Sequence, residues 1–243
     1  MVAESDVNRK VALVTGASRG LGREIAIALS SIGYYVAVNY CHSEQDAEDT
    51  VRIAGERSIP VKADVGDLSE VEEMAARIYE RWGRVDALIN NAGITRDGLL
   101  ARYREDYLDE VLRINLKGCF NTVKSLAPLM IKSGGGHIIN ISSYSGLRGR
   151  TGQAAYSASK AAILGLTYTL ARELGEYNIM VNAVLPGYMP TDMGRGAEIA
   201  MERAVEESIT GRLCSPPEVA RFITYLLSTE NITGQVFCLD SRI

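Results

Sequence analysis

The chain has 243 residues, enough for one large domain or, at the limit, two small ones. Hydrophobic residues make up 47% and charged residues 23%, ordinary globular usage that excludes a mainly disordered chain. Its 26 basic and 30 acidic residues give a net charge of −4 and form no basic block, which argues against nucleic acid as a partner. The longest mostly apolar stretch, residues 161–171, falls well short of the roughly 20 residues that cross a bilayer. Residues 1–10 are polar and charged, unlike the apolar core of a signal segment. Cys41, Cys119, Cys214 and Cys238 are scattered, which predicts a reducing compartment rather than a disulfide framework. His42 and His137 lie near no cysteine or carboxylate cluster, so no metal site is expected. These features predict a cytoplasmic protein without membrane contact.

In chain order, short β-branched runs predict strands over residues 11–15, 35–40, 60–64, 85–90, 137–142, 180–185 and 235–239. Amphipathic stretches predict helices over 23–32, 44–57, 69–81, 107–131, 154–176 and 217–227. Apolar runs of four to six residues between turn signals suit strands covered on both faces. The alternation predicts an α/β protein: one doubly wound Rossmann-type domain over residues 1–243, with a seven-stranded, mainly parallel sheet and helices on both sides. The glycines at 134–136 read as a helix stop. Residues 186–212 form the one long irregular connection, with a helical stretch over 198–207, and are expected to cover a substrate.

The first strand runs into Thr15-Gly16-Ala17-Ser18-Arg19-Gly20-Leu21-Gly22 and then into a helix. Gly16 permits the sharp turn, Gly20 the approach of a pyrophosphate, and Gly22 close packing of helix on strand. The helix start offers unpaired N–H groups to the phosphates. Where a free ribose 2′-hydroxyl would meet an acid, the second strand has Asn39, and Arg19 supplies a cation nearby. That combination favours NADP(H) over NAD(H).

Tyr156 and Lys160 stand four apart at the start of a long helix and share one face. A tyrosine beside an ammonium and an oxidised nicotinamide is expected to ionise below its usual value of about 10 and to serve as a general acid/base. Ser143 follows the fifth strand at its C-terminal end, where ligands bind in open α/β sheets, and its hydroxyl can hold a substrate carbonyl. Asn115 interrupts an apolar helical pattern, which points to an internal polar task such as a relay to Lys160.

These features, with Asn90-Asn91-Ala92-Gly93 and Pro186-Gly187…Thr191, resemble the short-chain dehydrogenase/reductase family over nearly the whole chain. The segments from Asn91 through Ile94-Thr95-Arg96-Asp97 to Leu100, and Gly152-Gln153…Tyr156, are similar to its β-ketoacyl-acyl-carrier-protein reductase branch. The resemblance implies NADPH-dependent reduction of a 3-oxoacyl thioester, carried by acyl carrier protein or coenzyme A, as in fatty-acid biosynthesis. It implies Tyr156 as proton donor, Lys160 as ribose anchor, Ser143 as carbonyl clamp and Asn115 as relay. It places Asp64 and Val65 at the adenine, Asn91, Ala92 and Gly93 along the ribose and phosphates, and Pro186, Gly187, Met189 and Thr191 at the nicotinamide amide. It also implies a homotetramer. The small stripe Ala154, Ala155, Ala158, Ala161, Ala162 and Gly165 would suit a close helix contact there, or burial within the monomer.

Other assignments stay open at this stage: the same machinery acting on another ketone or alcohol with NAD(P), or a nucleotide-binding protein without turnover. The chain departs from the family's pattern at Asp240-Ser241-Arg242-Ile243 and at Tyr177. Arg148 and Arg150 add charge between Ser143 and Tyr156, where they could meet a phosphate or carboxylate. Together with Arg102, Arg104 and Lys132 they are the candidates for a landing surface for an acidic carrier.

Overall fold

The computed structural model describes residues 9–191 and 198–242. Its strands are β1 (Val11–Val14), β2 (Tyr35–Tyr40), β3 (Ser58–Lys62), β4 (Ala87–Asn90), β5 (Gly136–Ile141), β6 (Ile179–Pro186) and β7 (Val236–Leu239). Its α-helices are α1 (Gly20–Ser31), α2 (Glu44–Ala54), α3 (Leu68–Trp82), α4 (Glu105–Leu112), α5 (Gly118–Lys132), α6 (Tyr144–Arg148), α7 (Ala154–Leu174), α8 (Glu198–Glu206) and α9 (Pro216–Leu226). The strands form one seven-stranded sheet in the order β3-β2-β1-β4-β5-β6-β7, and every pairing is parallel.

Side chains of a strand alternate between faces, and here both faces are apolar. Val11 and Leu13 of β1 pack with α3, α5 and α7, whereas Ala12 and Val14 pack with α1 and α9. The strand order reverses between β1 and β4, so the segments leaving their C-terminal ends diverge and open a crevice. The Gly16–Gly22 loop and the residues after Asn90 stand at that crevice.

Two boundaries differ from the sequence expectation for physical reasons. β3 begins at Ser58, two residues before the predicted start, and carries Pro60 opposite Val38. Proline lacks a ladder donor, but β3 is an edge strand and tolerates it in its interior. The helix predicted over 107–131 is interrupted by a π-helical turn, Arg113–Lys117, centred on Asn115. Such turns widen a helix by one residue and re-aim a side chain.

Within residues 186–212, positions 192–197 lie outside the described residues, as do Met1–Asn8 and Ile243. Of the small stripe on α7, Ala155 is buried while Ala154, Ala158, Ala161, Ala162 and Gly165 are exposed.

His137 sits near the start of β5 with its Nδ1 buried and unpartnered. Burial, aided by the Lys10 charge, pushes its pKa down to about 4. The unfolded chain takes up a proton near pH 6.5, whereas the folded one resists it. Folding stability is therefore expected to fall as pH drops from about 6.5 to about 4. In urea unfolding across that range, His137→Val should flatten the slope contributed by this group.

Candidate active site

The crevice is braced before any ligand enters it. Thr15, the residue before the first glycine, donates its hydroxyl to Ile89 O at 3.3 Å and accepts the N–H groups of Asn91 and Ala92, each at 3.0 Å. Asn91 Nδ2 returns across the gap to Thr15 O at 2.9 Å and Gly16 O at 3.1 Å. The two loops are therefore one unit. Gly16 has φ +59°, and a Cβ on it would lie 2.9 Å from Ala92 Cα. A Cβ on Gly22 would stand 2.4 Å from Gly16 O and 2.5 Å from Asn91 Nδ2, so only glycine permits this approach of helix to loop.

The outer side of the loop is held from α1 and α2. Ser18 O accepts hydrogen bonds from Arg23 Nε and Nη2, at 3.1 and 2.7 Å, and from Thr50 Oγ1 at 3.0 Å. Arg19 is exposed at the start of α1, whose first turn contains no acidic residue and no side-chain cap. Its first N–H groups therefore remain available to an anion. Leu21 is buried in the core under α1, so only its backbone faces the crevice.

Asn39, near the end of β2, is tied into the glycine loop. It is buried; its Oδ1 accepts Gly16 N–H at 3.1 Å, and its Nδ2 donates to Val61 O and Ala63 O at 3.3 and 3.0 Å. The side chain shapes the glycine loop and ties it to the end of β3, rather than presenting its amide at the surface. At that end Asp64 accepts Gly66 N–H at 2.8 Å and Arg113 Nη1 at 2.7 Å, while Val65 is buried.

The other half of the site forms at the ends of β5 and β6. Ser143 caps α6, its Oγ accepting Ser145 N–H at 3.2 Å. Lys160 is buried and donates from Nζ to Ile141 O at 2.8 Å, with Nζ 5.8 Å from the centre of the Tyr156 ring. Burial lowers the Lys160 pKa to about 8. Cys119 on α5 is buried as well, and desolvation raises its thiol to about 12, so it contributes no negative charge at neutral pH. A Cβ on Gly93 would lie 3.2 Å from Asn115 Oδ1 and 3.4 Å from Lys160 Nζ, so the glycine keeps the space beside the lysine open.

Burial pushes the Tyr156 phenol up; a hydrogen bond with Ser143 opposes the shift and the Asp97 charge adds to it. Asn115 lies at the centre of the π-helical turn. Its amide accepts Ile94 N–H at 2.8 Å and donates to Ile94 O and Ser159 Oγ, both at 3.0 Å, so the π-turn side chain holds the loop after β4 against α7.

A cavity of about 650 Å³ opens in front of Ser143 and Tyr156, with Pro186, Gly187, Met189 and Thr191 on another wall. Thr191 closes toward the glycine loop, its Cβ 3.6 Å from where a Gly20 Cβ would stand. Arg150 reaches the same cavity with its guanidinium 5.6 Å from the Tyr188 ring centre, whereas Arg148 lies exposed outside it. Arg104 is paired with Asp106 at 2.5 Å. Arg242 also lines the cavity, locked onto Asp240 and lying 4.9 Å from the Tyr144 ring centre.

Sequence reasoning gave no role to Thr15, Arg23, Thr50 or Arg242. Thr15 alone left a local signal, a hydroxyl placed between strand and glycine. Replacing Asn39 by Asp should remove the Nδ2 bonds to Tyr40 O, Val61 O and Ala63 O and bury a charge, lowering unfolding free energy by about 1–3 kcal/mol. Urea unfolding of the variant at neutral pH checks this.

The profile of the short chain dehydrogenase family matches residues 10–201. The chain is 42% identical over 232 residues to a 3-oxoacyl-[acyl-carrier-protein] reductase, FabG, of Staphylococcus epidermidis, covering 93% of this chain and 95% of that one. It is 40% identical over 242 residues to FabG of Thermotoga maritima, covering 96% and 97%. A solved structure of an actinorhodin polyketide ketoreductase variant with NADPH superposes with a TM-score of 0.91 at 34% identity, covering 96% of each chain.

Proposed function

The chain belongs to the short-chain dehydrogenase family, and from that membership we propose that it reduces 3-oxoacyl thioesters to 3-hydroxyacyl thioesters with NADPH. The carrying observation is that one cavity holds the hydroxyls of Ser143 and Tyr156 while Lys160 is buried behind them, beside the braced glycine loop. The matched relatives are named as 3-oxoacyl-carrier reductases and the matched ketoreductase holds NADPH, which supports the same substrate and cofactor.

The residues present fit that cofactor. Gly16 and Gly22 let the loop and the helix start pack where a Cβ would strike Ala92, Gly16 O and Asn91 Nδ2, and the first turn of α1 offers its N–H groups to a pyrophosphate. Arg19 is the loop cation for a 2′-phosphate. In this reading Asp64 and Val65 border the adenine, Asn91 to Gly93 border the ribose and phosphates, and Pro186, Gly187, Met189 and Thr191 border the nicotinamide amide. NADPH, when bound, supplies the hydride to the ketone carbon. Lys160 holds ribose hydroxyls through Nζ, and its charge stands behind Tyr156. Ser143 donates a hydrogen bond to the ketone oxygen as negative charge grows there. Tyr156 gives its proton to that oxygen and is left as phenolate. The upward shift of the Tyr156 phenol serves this direction, since the group stays protonated at neutral pH.

Residues 1–243 act as one catalytic domain in this account, and the segment after β6 contributes a cavity wall through Tyr188, Met189, Ile199 and Arg203. The exposed part of the α7 stripe supports the homotetramer. No helix among the described residues is long and apolar enough to cross a membrane.

The test is loss of NADPH absorbance with acetoacetyl-coenzyme A and with an acetoacetyl carrier protein. Wild type should consume NADPH with one or both, and Tyr156→Phe should lose about 10²–10⁴-fold in kcat while binding NADPH as wild type does. No turnover of either thioester, or a phenylalanine variant retaining more than about a tenth of kcat, contradicts the assignment.

A further inference from the structure

Two short segments remain without a task in the proposed chemistry: Thr95 to Asp97, after β4, and Gly152-Gln153, just before α7. The fold brings them together across the cavity mouth. Gly98 N–H donates to Gly152 O at 2.8 Å, and Gly98 forms an isolated parallel bridge with Gln153. Side chains carry the connection inward. Asp97 accepts the Thr95 hydroxyl and the Gln153 Nε2 group, the latter at 3.2 Å on Oδ2 and 3.4 Å on Oδ1. The opposite end of the same amide, Oε1, accepts Ser145 Oγ–H at 3.2 Å. Ser145 N–H donates to Ser143 Oγ at 3.2 Å, and Ser143 lines the cavity together with Tyr156.

A serine hydroxyl rotates about its C–O bond, so burial alone does not aim its proton. Here one lone pair of Ser143 Oγ is taken by the Ser145 N–H, which constrains where the O–H can point. The position of Ser145 depends in turn on Gln153, because α6 is a single short helix whose N-cap is Ser143 itself. Gln153 is the last residue before α7, the helix that carries Tyr156 and Lys160. It therefore couples the clamp on one element to the proton donor on another. Only a side chain with both a donor and an acceptor can bridge the Asp97 carboxylate and the Ser145 hydroxyl in this way.

We propose that Gln153 and Asp97 are positioning residues for carbonyl reduction: they anchor Ser145 and, through its backbone N–H, aim the Ser143 hydroxyl at the oxygen that Tyr156 protonates. This rests on Ser143 and Tyr156 acting as clamp and proton donor. A misplaced hydroxyl slows chemistry without loosening cofactor binding, since the strap lies on the substrate side of the site.

The test is a double-mutant cycle on Ser143 and Gln153, using the thioester that wild type reduces fastest, with NADPH saturating. Gln153→Leu is expected to lower kcat about tenfold or more, by loss of orientation, and to leave the NADPH dissociation constant within about twofold. In the Ser143→Ala background the same change should alter kcat by less than about twofold, because its effect passes through Ser143. Asp97→Asn keeps an acceptor for Gln153 and should retain most of kcat, whereas Asp97→Ala should follow Gln153→Leu. Circular-dichroism melting fixes the folded fraction of each variant. An unchanged kcat in Gln153→Leu, or an equal loss in both backgrounds while Ser143→Ala is itself slow, overturns the proposal alone. A Ser143→Ala enzyme as fast as wild type overturns the assignment beneath it and the proposal together.

Discussion

The hydroxyl of Thr15 is the joint on which the rest of the site depends, because it gives its proton to Ile89 O while receiving the N–H groups of Asn91 and Ala92. β1 and β4 are neighbours whose following segments leave in opposite directions, so their loops have no ladder to hold them together. The threonine and the Asn91 amide supply that connection, and Asn39 extends it to the end of β3. With the loops fixed, the glycines can approach at distances no side chain would allow. Binding then carries little ordering cost, which leaves more of the interaction energy for affinity.

Burial is the second constraint, and it sets the electrostatics of the catalytic half. Lys160 is taken almost wholly out of water, and its Nζ donates to Ile141 O. An ammonium in that setting is easily neutralised, which is why its pKa falls to about 8. The same desolvation moves Tyr156 the other way and keeps the phenol protonated. One physical cause thus separates the two residues into a poised cation and a neutral donor. Cys119, buried beside them, stays a neutral thiol for the same reason.

Much of this was legible in the sequence, because strands buried on both faces read as apolar runs and because glycine loops and the Tyr156/Lys160 spacing are local. The displaced start of β3 was not, since whether Pro60 is allowed inside a strand depends on that strand lying at the sheet edge. The π turn at Asn115 was visible only as an interruption, and its partners Ile94 and Ser159 could not be read from spacing. Asn39 was singled out from its position at the end of β2, whereas its bonds to Gly16 and to the end of β3 join residues far apart in the chain and could not be read from spacing. The Asp97 to Gln153 strap joins residues 56 positions apart through polar side chains that no hydrophobic period marks.

The most direct measurement of the central claim is the NADPH dissociation constant of Thr15→Val, taken by calorimetry beside that of wild type. Valine keeps the shape but leaves the Ala92 N–H without its acceptor and the Asn91 N–H with Ile89 O alone. A pre-braced crevice predicts affinity weakened by about 1–3 kcal/mol, roughly five- to 150-fold, for hydrogen bonds lost from part-buried backbone donors. Wild-type affinity in a folded Thr15→Val protein would contradict the account.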